Sequence, residues 1–303
     1  MRTVYLGTSG FAATVLRRLA ESPHRPQLVV TPPDRPRGRG RRTQPPPVAE
    51  AARELEIELL QAASVNDSDA LARIAEARPE VAAVCAFGQL IREPLLSAQP
   101  ILNVHPSLLP RWRGAAPIER AIMAGDERTG VSIMGLTEGL DSGPVGLREE
   151  VAIGEREDFG ELSARLATLG GELLAAALDL QAEGRLELVE QDDAAATYAE
   201  KIEAAERRLD PSRPAAELDR TVRALTPHVG AYLEMAGGDT RLGVRRARPA
   251  GVAGPPAGEL RAEDGALLLG CGDGALLLEE VQPAGGRPMA ADAYLRGHPL
   301  PAP

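Results

Sequence analysis

The stretch PILNVHPSLLPRWRGAAPIERAIMAGDERTGVSIMGLTEGLDSGPV, residues 100–145, decides the fold of this chain. Two short apolar runs within it, 101–104 and 130–136, predict strands. Pro106 ends the first run, because its ring supplies no N–H and biases the preceding residue away from the helical region. The second run leads into GLDSG, where glycines permit a tight bend around Asp141. Both strands therefore end in polar residues, where an open α/β sheet binds its ligands.

Three polar side chains at these strand ends suit acyl transfer to an amine. Asn103 and His105 stand two residues apart and therefore share one face of an extended segment. An amide and a protonated imidazole can donate hydrogen bonds to an oxyanion, and a nearby carboxylate, Asp141, can orient the imidazole and manage protons. No Ser or Cys nucleophile is needed if the amine itself attacks. Taken singly, each of the three residues is more often a turn residue or a satisfied polar group.

The context of these residues resembles a known family. Asn103-Val104-His105, then SLLP at 107–110, then a glycine-flanked Asp141 resembles the formyltransferases that use 10-formyltetrahydrofolate. The resemblance implies that Asn103, His105 and Asp141 are catalytic. It also implies a folate site that includes the four residues Ser107, Leu108, Leu109 and Pro110.

The residues after SLLP narrow the resemblance. SLLPRWRGAAPI, residues 107–118, is similar to the members of the family that formylate the amine of methionyl initiator tRNA. Relatives that act on glycinamide ribonucleotide or on sugar nucleotides diverge after SLLP. One departure is Pro106, where many of the tRNA enzymes carry Gly. We expect this proline to stiffen the loop without touching the three catalytic residues.

The composition is that of a globular protein. The 303 residues suffice for two domains, and 44% of them are hydrophobic and 26% charged. No run of about 18 apolar residues appears, and the N-terminus lacks a charged segment before a long apolar one, so neither a membrane span nor a signal peptide is expected. We expect a cytoplasmic protein that acts as a monomer.

Cysteine and histidine are too few to suggest a metal site. The two cysteines, Cys85 and Cys271, lie far apart, and none of the four histidines stands at ligand spacing from another ligand. We therefore expect no metal. Buried free thiols are favoured over a disulfide or a catalytic pair.

Negative charge is concentrated in one segment. The net charge is −10, which by itself argues against a nucleic-acid partner. Residues 155–206, however, hold 14 acidic and 4 basic side chains, and the rest of the chain is balanced. The distribution therefore leaves room for a polyanion.

The N-terminal part predicts a doubly wound α/β fold with a mostly parallel, Rossmann-like sheet. A strand over 3–6, a glycine loop and a helix over 11–21 open the pattern, and the apolar run 81–86 predicts a strand buried on both faces. The loop lacks the three-glycine fingerprint, so nucleotide binding there is a weak reading. By resemblance, Phe87, Gly88 and Leu90 help to form the pterin pocket, although the residues alone also allow a plain strand-to-helix turn.

A basic loop spans residues 32–47. Its prolines and glycines exclude a helix or a central strand and predict an exposed, semi-extended loop. Its arginines repel one another unless a partner such as phosphate neutralises them, and a merely solvated loop is the alternative. In the resembling family this loop contacts the tRNA acceptor arm. The arginines are Arg35, Arg37, Arg39, Arg41 and Arg42.

Later residues predict a second domain. A helix over 158–182, with a possible break at Gly170-Gly171, closes a catalytic domain of residues 1–189. Residues 190–209 read as a linker, in which Lys201 either reaches a phosphate or pairs with a nearby acid. Five short strands follow within residues 210–303 and predict a small C-terminal β-barrel, OB-like by resemblance.

One strand of this second domain is rich in arginine. Residues 240–247 include Arg245 and Arg246, and a basic strand suits the backbone of RNA. An edge strand kept soluble by its charge is the competing reading. The resemblance favours a tRNA-binding domain.

The resemblance implies an enzyme that moves a formyl group from 10-formyltetrahydrofolate to methionyl initiator tRNA. Two alternatives stay open. The first is a formyltransferase that acts on a small amine such as an amino-sugar nucleotide. The second is a noncatalytic RNA-binding protein. The basic loop argues against the first, and the intact set of Asn103, His105 and Asp141 argues against the second.

Overall fold

The structure, a computed structural model, describes residues 1–37, 42–235, 240–298 and 300. The chain forms two compact units. The first unit comprises Met1–Pro117, Arg128–Ala152 and Ser163–Ala199. The second unit comprises Ile118–Glu127, Ile153–Leu162 and Glu200–Pro303.

The elements through residue 199 are eleven strands and six α-helices among the described residues, with helices between most of the strands of the central sheet. The strands are β1 (Thr3–Gly7), β2 (Leu28–Thr31), β3 (Arg35–Arg37), β4 (Arg42–Gln44), β5 (Glu58–Gln61), β6 (Val81–Cys85), β7 (Ile101–His105), β8 (Arg113–Gly114), β9 (Arg128–Gly135), β10 (Val145–Ala152) and β11 (Tyr198–Ala199). The helices are α1 (Gly10–Ala20), α2 (Pro47–Glu54), α3 (Ser68–Glu76), α4 (Leu95–Ala98), α5 (Pro117–Ala124) and α6 (Phe159–Ala182).

A seven-stranded sheet forms the centre of the first unit. Its order is β10-β9-β7-β6-β1-β2-β5, and the pairs from β7 to β5 are parallel. β9 and β10 extend the sheet in antiparallel fashion at one edge. The predicted doubly wound, mostly parallel sheet is therefore confirmed. β7 pairs with the parallel strand β6 on one side and with the antiparallel strand β9 on the other. Its carboxyl end therefore lies at the border between the parallel and the antiparallel parts of the sheet.

The first helix and the central strands have local features that explain their position. α1 begins after Ser9, whose hydroxyl accepts a hydrogen bond from the Ala12 backbone N–H and so caps the helix. All five residues of β6 are buried, which agrees with a parallel strand covered on both faces. One apolar cluster fills a face of the sheet, with Leu6, Val30 and Val84 among its buried members.

α6 runs without interruption through Gly170-Gly171, so the predicted break is wrong. A Cβ at Gly170 would lie 2.9 Å from the Val104 side chain, and one at Gly171 would lie 2.5 Å from that of Arg18. The two glycines therefore permit close packing of α6 against β7 and α1, which outweighs the low helix propensity of glycine.

The basic loop contains a short hairpin. β3 and β4 pair in antiparallel fashion, with Arg35 opposite Gln44 and Arg37 opposite Arg42. The loop therefore holds more regular structure than the predicted semi-extended path. Arg39 and Arg41 fall within residues 38–41, which lie outside the described residues.

The second unit holds an antiparallel sheet and two further helices. The strands are β12 (Ala231–Glu234), β13 (Arg241–Pro249), β14 (Leu260–Glu263), β15 (Ala266–Cys271), β16 (Gly274–Pro283) and β17 (Met289–Ala290), and the helices are α7 (Ala215–Leu225) and α8 (Ala291–Gly297). The sheet order is β12-β13-β16-β15-β14, with β17 also paired to β16. This antiparallel sheet is consistent with the predicted small barrel.

The arginine-rich strand is not at the edge of this sheet. β13 pairs with β12 on one side and β16 on the other. The edge-strand explanation for its charges is therefore wrong.

Over the described ranges, no helix combines the length and the apolar character needed to cross a membrane.

Candidate active site

His105 and Asp141 meet at the carboxyl end of β7. The Nδ1 atom of His105 lies 3.6 Å from Oδ2 of Asp141, with side-chain exposures of 5% and 18%. This distance is long for a hydrogen bond, and both side chains are largely removed from water, so the carboxylate oxygen and the ring nitrogen face each other directly. The structure thus brings together two of the three residues that were predicted to be catalytic, 36 positions apart in the sequence.

The other ring nitrogen of His105 has a fixed role. Nε2 lies 2.9 Å from the backbone carbonyl oxygen of Trp112. A carbonyl oxygen can only accept, so Nε2 carries a hydrogen whether the ring is neutral or charged. Nδ1, which faces Asp141, is consequently the ring nitrogen that is not bound to the backbone.

Asp141 is held in an unusual backbone conformation. Its φ angle is 46°, in the left-handed region, which aspartate enters more readily than most non-glycine residues do. Its Oδ2 atom accepts a hydrogen bond of 2.9 Å from the Gly114 N–H. Gly114 itself has a φ of 117°, and a Cβ there would lie 2.9 Å from the Ala199 carbonyl oxygen, so only glycine fits this donor position.

Asn103 lies on the same strand, two residues before His105. Both side chains therefore point to one face of β7, as predicted. Asn103 is 8% exposed, and its amide has no hydrogen-bond partner among the described residues. A buried amide normally finds partners, so this one is free to bind an oxygen atom of a substrate.

The SLLP loop is fastened to β9 and β10. Ser132 is fully buried; its hydroxyl donates to the Ser107 carbonyl oxygen at 2.7 Å and accepts from the Leu109 N–H at 3.1 Å. Arg148 donates from Nη1 to the Leu109 carbonyl oxygen at 3.0 Å. Sequence reasoning missed Ser132 and Arg148. A serine within the otherwise apolar run GVSIMGL was the available signal for the first, since a buried hydroxyl needs partners.

The residues expected around the pterin occupy different environments. Phe87 is buried in the core of the first unit, and its carbonyl oxygen accepts a hydrogen bond from the Thr8 hydroxyl. Gly88 has a φ of 74° and open space where a Cβ would lie. Leu90 is 62% exposed, which is unusual for a leucine and leaves its side chain available to a flat ring.

The basic residues expected to contact RNA differ in their availability. Arg35 is exposed. Arg37 and Arg42 lie opposite each other in the hairpin of β3 and β4. Lys201 is exposed and forms no ion pair with a described residue, so pairing with an acid does not account for it.

On β13, two neighbouring arginines differ in their exposure and in their partners. Arg245 donates from Nε to the Gln282 amide oxygen at 2.9 Å and is half-buried. Arg246 is exposed and has no hydrogen bond or ion pair with a described residue. Of the two, Arg246 is the one whose guanidinium is available to a phosphate.

The cysteines are placed as predicted, buried and unpaired. Burial raises the pKa of the Cys85 thiol to about 12, and it also raises the pKa of Cys271. Neither thiol is therefore a nucleophile at neutral pH. In the part of the chain that the structure describes, no three His, Cys, Asp or Glu side chains come close enough together to hold a metal ion.

The arrangement has a definite chemical capacity. The Asn103 amide and a protonated His105 Nδ1 are two donors at one strand end, where a developing oxyanion would be stabilised. Asp141 faces Nδ1 through Oδ2 and has a second oxygen, Oδ1, without a hydrogen-bond partner among the described residues. The site can therefore polarise a carbonyl and accept hydrogen from an attacking amine.

Comparison with known sequences covers nearly the whole chain. Residues 1–178 match the family Formyl transferase, and residues 201–299 match Formyl transferase, C-terminal domain. The chain is 42% identical over 303 residues to a methionyl-tRNA formyltransferase of Methylobacillus flagellatus, covering 99% of this chain and 97% of the relative. It is 43% identical over 297 residues to that of Pseudomonas paraeruginosa, covering 97% and 95%.

Comparison with solved structures gives the same fold. HypX from Aquifex aeolicus in complex with tetrahydrofolic acid aligns with a TM-score of 0.64 at 19% identity, covering 97% of this chain. The chain spans 47% of that longer protein. An N-formyltransferase from Helicobacter canadensis, in complex with folinic acid and dTDP-3-aminofucose, aligns with a TM-score of 0.66 at 12% identity, covering 92% of this chain and 98% of the other.

Proposed function

Because the chain belongs to the formyl transferase family, we propose that it transfers a formyl group from 10-formyltetrahydrofolate to the amine of methionyl initiator tRNA, for the initiation of translation. Relatives at 42% and 43% identity over almost their full length carry this activity in their name. The observation in the site that carries the proposal is the 3.6 Å approach of His105 Nδ1 to Asp141 Oδ2.

The residues of the site divide the work of acyl transfer. The folate supplies an activated formyl group. The Asn103 amide and the His105 Nδ1–H donate hydrogen bonds to the formyl oxygen, and these bonds strengthen as the oxygen becomes anionic. Asp141 orients the ring through Oδ2 and accepts a hydrogen bond from the amine through Oδ1. The amine nitrogen forms a bond to the formyl carbon, the bond from that carbon to the folate nitrogen breaks, and the proton that the amine loses is taken up by the folate nitrogen. The Trp112 carbonyl holds the ring so that Nδ1, and not Nε2, faces the reaction.

The loop that Ser132 and Arg148 fasten is the proposed folate site. Ser107, Leu108, Leu109 and Pro110 lie directly after the catalytic strand, so a folate bound there would place its formyl group near Asn103. Two backbone contacts from Ser132 and one from Arg148 make the loop rigid, which lowers the entropy lost on binding. Phe87, Gly88 and Leu90 are proposed to enclose the pterin ring.

Binding of the tRNA acceptor arm is proposed for the basic loop and the second unit. Exposed Arg35, Arg246 and Lys201 support this role, because each is available to a phosphate. Arg245, bound to Gln282, is better suited to support β13 beneath the neighbouring arginine. A cytoplasmic monomer is the proposed form, since charged initiator tRNA is used where translation starts.

The test is transfer of labelled formyl from 10-formyltetrahydrofolate to three acceptors. We expect rapid transfer to methionyl initiator tRNA, little transfer to uncharged tRNA plus free methionine, and none to an amino-sugar nucleotide. Preferred transfer to the sugar nucleotide would overturn the proposed acceptor but keep the chemistry. Binding of tRNA without transfer to any acceptor would overturn both.

A further inference from the structure

Gln191 holds the backbone on both sides of the Asp141 turn. Its Nε2 donates to the carbonyl oxygen of Asp141 at 2.9 Å and to that of Gly143 at 2.6 Å. Its Oε1 accepts from Nε of Arg113 at 3.0 Å. Two acceptors on one side and a donor on the other fix which end of the amide carries nitrogen.

A buried arginine supports this amide from behind. Arg113 is 3% exposed, and its Nη2 donates to Oδ1 of Asp193 at 2.7 Å. A buried guanidinium needs partners for its hydrogens, so Arg113 is held between Gln191 and Asp193. Its own position is fixed further by its backbone N–H, which donates to the Thr197 carbonyl oxygen at 2.9 Å.

The segment 191–199 therefore encloses the loop that carries the donor to Asp141. The Trp112 N–H donates to the Thr197 hydroxyl at 2.9 Å, and β11 pairs with β8. Gly114, which donates to the Asp141 carboxylate, belongs to β8. Asp141 is thus held at two points. Gly114 donates a hydrogen bond to its carboxylate, and Gln191 donates one to its backbone carbonyl oxygen. All of these residues lie in the first unit.

We propose that Gln191 is a positioning residue of the active site, which acts by holding Asp141 against His105. This inference rests on the proposed function. Gln191 lies between the parts of the chain that match the two formyl transferase families, 1–178 and 201–299. Asp141 has a left-handed φ of 46°, a conformation that persists only where the surroundings enforce it. Gln191 provides that enforcement with two of its three hydrogen bonds.

Steady-state kinetics of Gln191→Leu give the first test. We expect kcat to fall about 10- to 100-fold, because displacement of a catalytic group by about 1 Å has such an effect, with KM for folate and for tRNA within about twofold of wild type. The matched control is Gln181→Leu on α6, where the glutamine side chain has no hydrogen bond among the described residues. The control should keep full activity.

A second variant guards against loss of folding. Gln191→Glu keeps the size of the side chain and an acceptor for Arg113 but has no hydrogen to donate to the two carbonyls. It should lose as much kcat as Gln191→Leu. In an Asp141→Asn background, neither Gln191 variant should lower kcat further, because a residue that acts through another adds nothing once that partner is disabled. Multiplicative losses would overturn the positioning role.

A measurement without turnover separates this inference from the proposed function. Hydrogen exchange of the Gly114 N–H, followed by NMR, reports whether the Asp141 carboxylate still accepts from it. Exchange at Gly114 should accelerate at least about 10-fold in both Gln191 variants and stay unchanged in Gln181→Leu. Unchanged exchange would overturn the inference. If the wild type transfers no formyl group but the Gln191 variants still show accelerated exchange at Gly114, the proposed function would be overturned and the inference would stand.

Discussion

The carbonyl oxygen of Trp112 accepts a hydrogen bond from Nε2 of His105 at 2.9 Å. Trp112 has a φ of 64°, a left-handed conformation that is costly for a large side chain. The backbone thus bears strain at the residue that fixes the protonated nitrogen of the imidazole. Nδ1 is left facing Asp141, where the proposed reaction takes place.

This relationship predicts different effects for two replacements of His105. Glutamine places an amide near the Nε2 position and can still donate to Trp112, so His105→Gln should fold with a Tm close to wild type. It cannot exchange a proton at the Nδ1 position, so kcat should fall about 10²- to 10⁴-fold. His105→Ala should lose a similar factor in kcat and also about 1 kcal/mol of stability, because the buried carbonyl loses its donor. Steady-state formyl transfer and thermal unfolding check both. Activity of His105→Gln within tenfold of wild type would contradict the assigned role of Nδ1.

Gly139 and Gly143, the glycines on either side of Asp141, should differ in how well they tolerate replacement by alanine. A Cβ at Gly143 would overlap the backbone carbonyl oxygen of Gly135, which cannot move freely. Gly143→Ala should therefore lower the free energy of unfolding by about 2–4 kcal/mol or displace the Asp141 turn with loss of activity. Gly139→Ala is the matched control, since its Cβ would meet only the rotatable Ser142 hydroxyl. Urea denaturation and formyl transfer of both variants give the comparison, and equal tolerance would show that the Gly135 approach is not required.

The cysteines should resist modification in the folded protein. Burial raises the pKa of Cys85 to about 12, so the reactive thiolate is scarce at pH 8, and burial also raises the pKa of Cys271. Both thiols should react with an alkylating reagent at least about 100-fold more slowly in buffer than in guanidinium chloride. Mass spectrometry of the alkylated peptides measures each site. Rapid labelling of Cys85 at neutral pH would mean that β6 opens readily.

Arg120 and Glu206 should give the second unit a stability that depends on acid. Arg120 donates to both carboxylate oxygens of Glu206, at 2.5 and 3.1 Å. The pKa of Glu206 is lowered from 4.5, chiefly by this hydrogen bonding. A depressed carboxyl pKa stabilises the fold above the unfolded value near 4.5, and this stabilisation is lost as the pH falls through the folded pKa.

Glu206→Gln should therefore be less stable than wild type by about 1 kcal/mol at pH 7, a figure kept small because Glu206 is a third exposed. The difference should shrink as the pH falls below 4.5. Urea denaturation at a series of pH values measures it. Glu259→Gln is the control, because Glu259 is exposed and without a side-chain partner among the described residues. A constant difference across the range would contradict the linkage.

Charge reversal in the basic loop should weaken the binding of tRNA but not the binding of the folate. Changing Arg39, Arg41 and Arg42 to Glu should raise KM for methionyl-tRNA at least about tenfold and flatten its salt dependence, because fewer phosphates are neutralised. KM for the folate should stay within about twofold. Kinetics at several salt concentrations provide the measurement.

The control for this prediction reverses Arg78, Arg92 and Arg185, which are exposed arginines of the first unit. It changes the net charge by the same amount without touching the loop. Equal rises in KM for both triple variants would assign the effect to net charge. An equal loss of tRNA and folate affinity in the loop variant would contradict the loop's proposed role.

Much of the first unit is predictable because its strands are short apolar runs that end in strong signals. Pro106 after β7 leaves Asn103 and His105 near the end of a strand, and the glycines around Asp141 permit the turn that brings its carboxylate to His105. The local pattern is sufficient here because the run, its end and its burial all agree.

Other features depend on contacts that no local pattern contains. Gly170-Gly171 read as a helix break, yet they sit where Val104 and Arg18 approach α6. Charges on β13 allowed an edge strand, although the strand is paired on both sides. Gln191 lies in a polar stretch that reads as linker, and only its three partners reveal what it holds. Each of these is decided by a neighbour distant in sequence.

The hold of Gln191 on the Asp141 turn matters for anyone who dissects or recombines this chain. A fragment cut where the first family match stops, at residue 178, would keep Asn103, His105 and Asp141 and yet discard Gln191 and Thr197. Chimeras between relatives should accordingly place their crossover beyond Ala199, so that Asp141 and the residues that support it are inherited from the same parent.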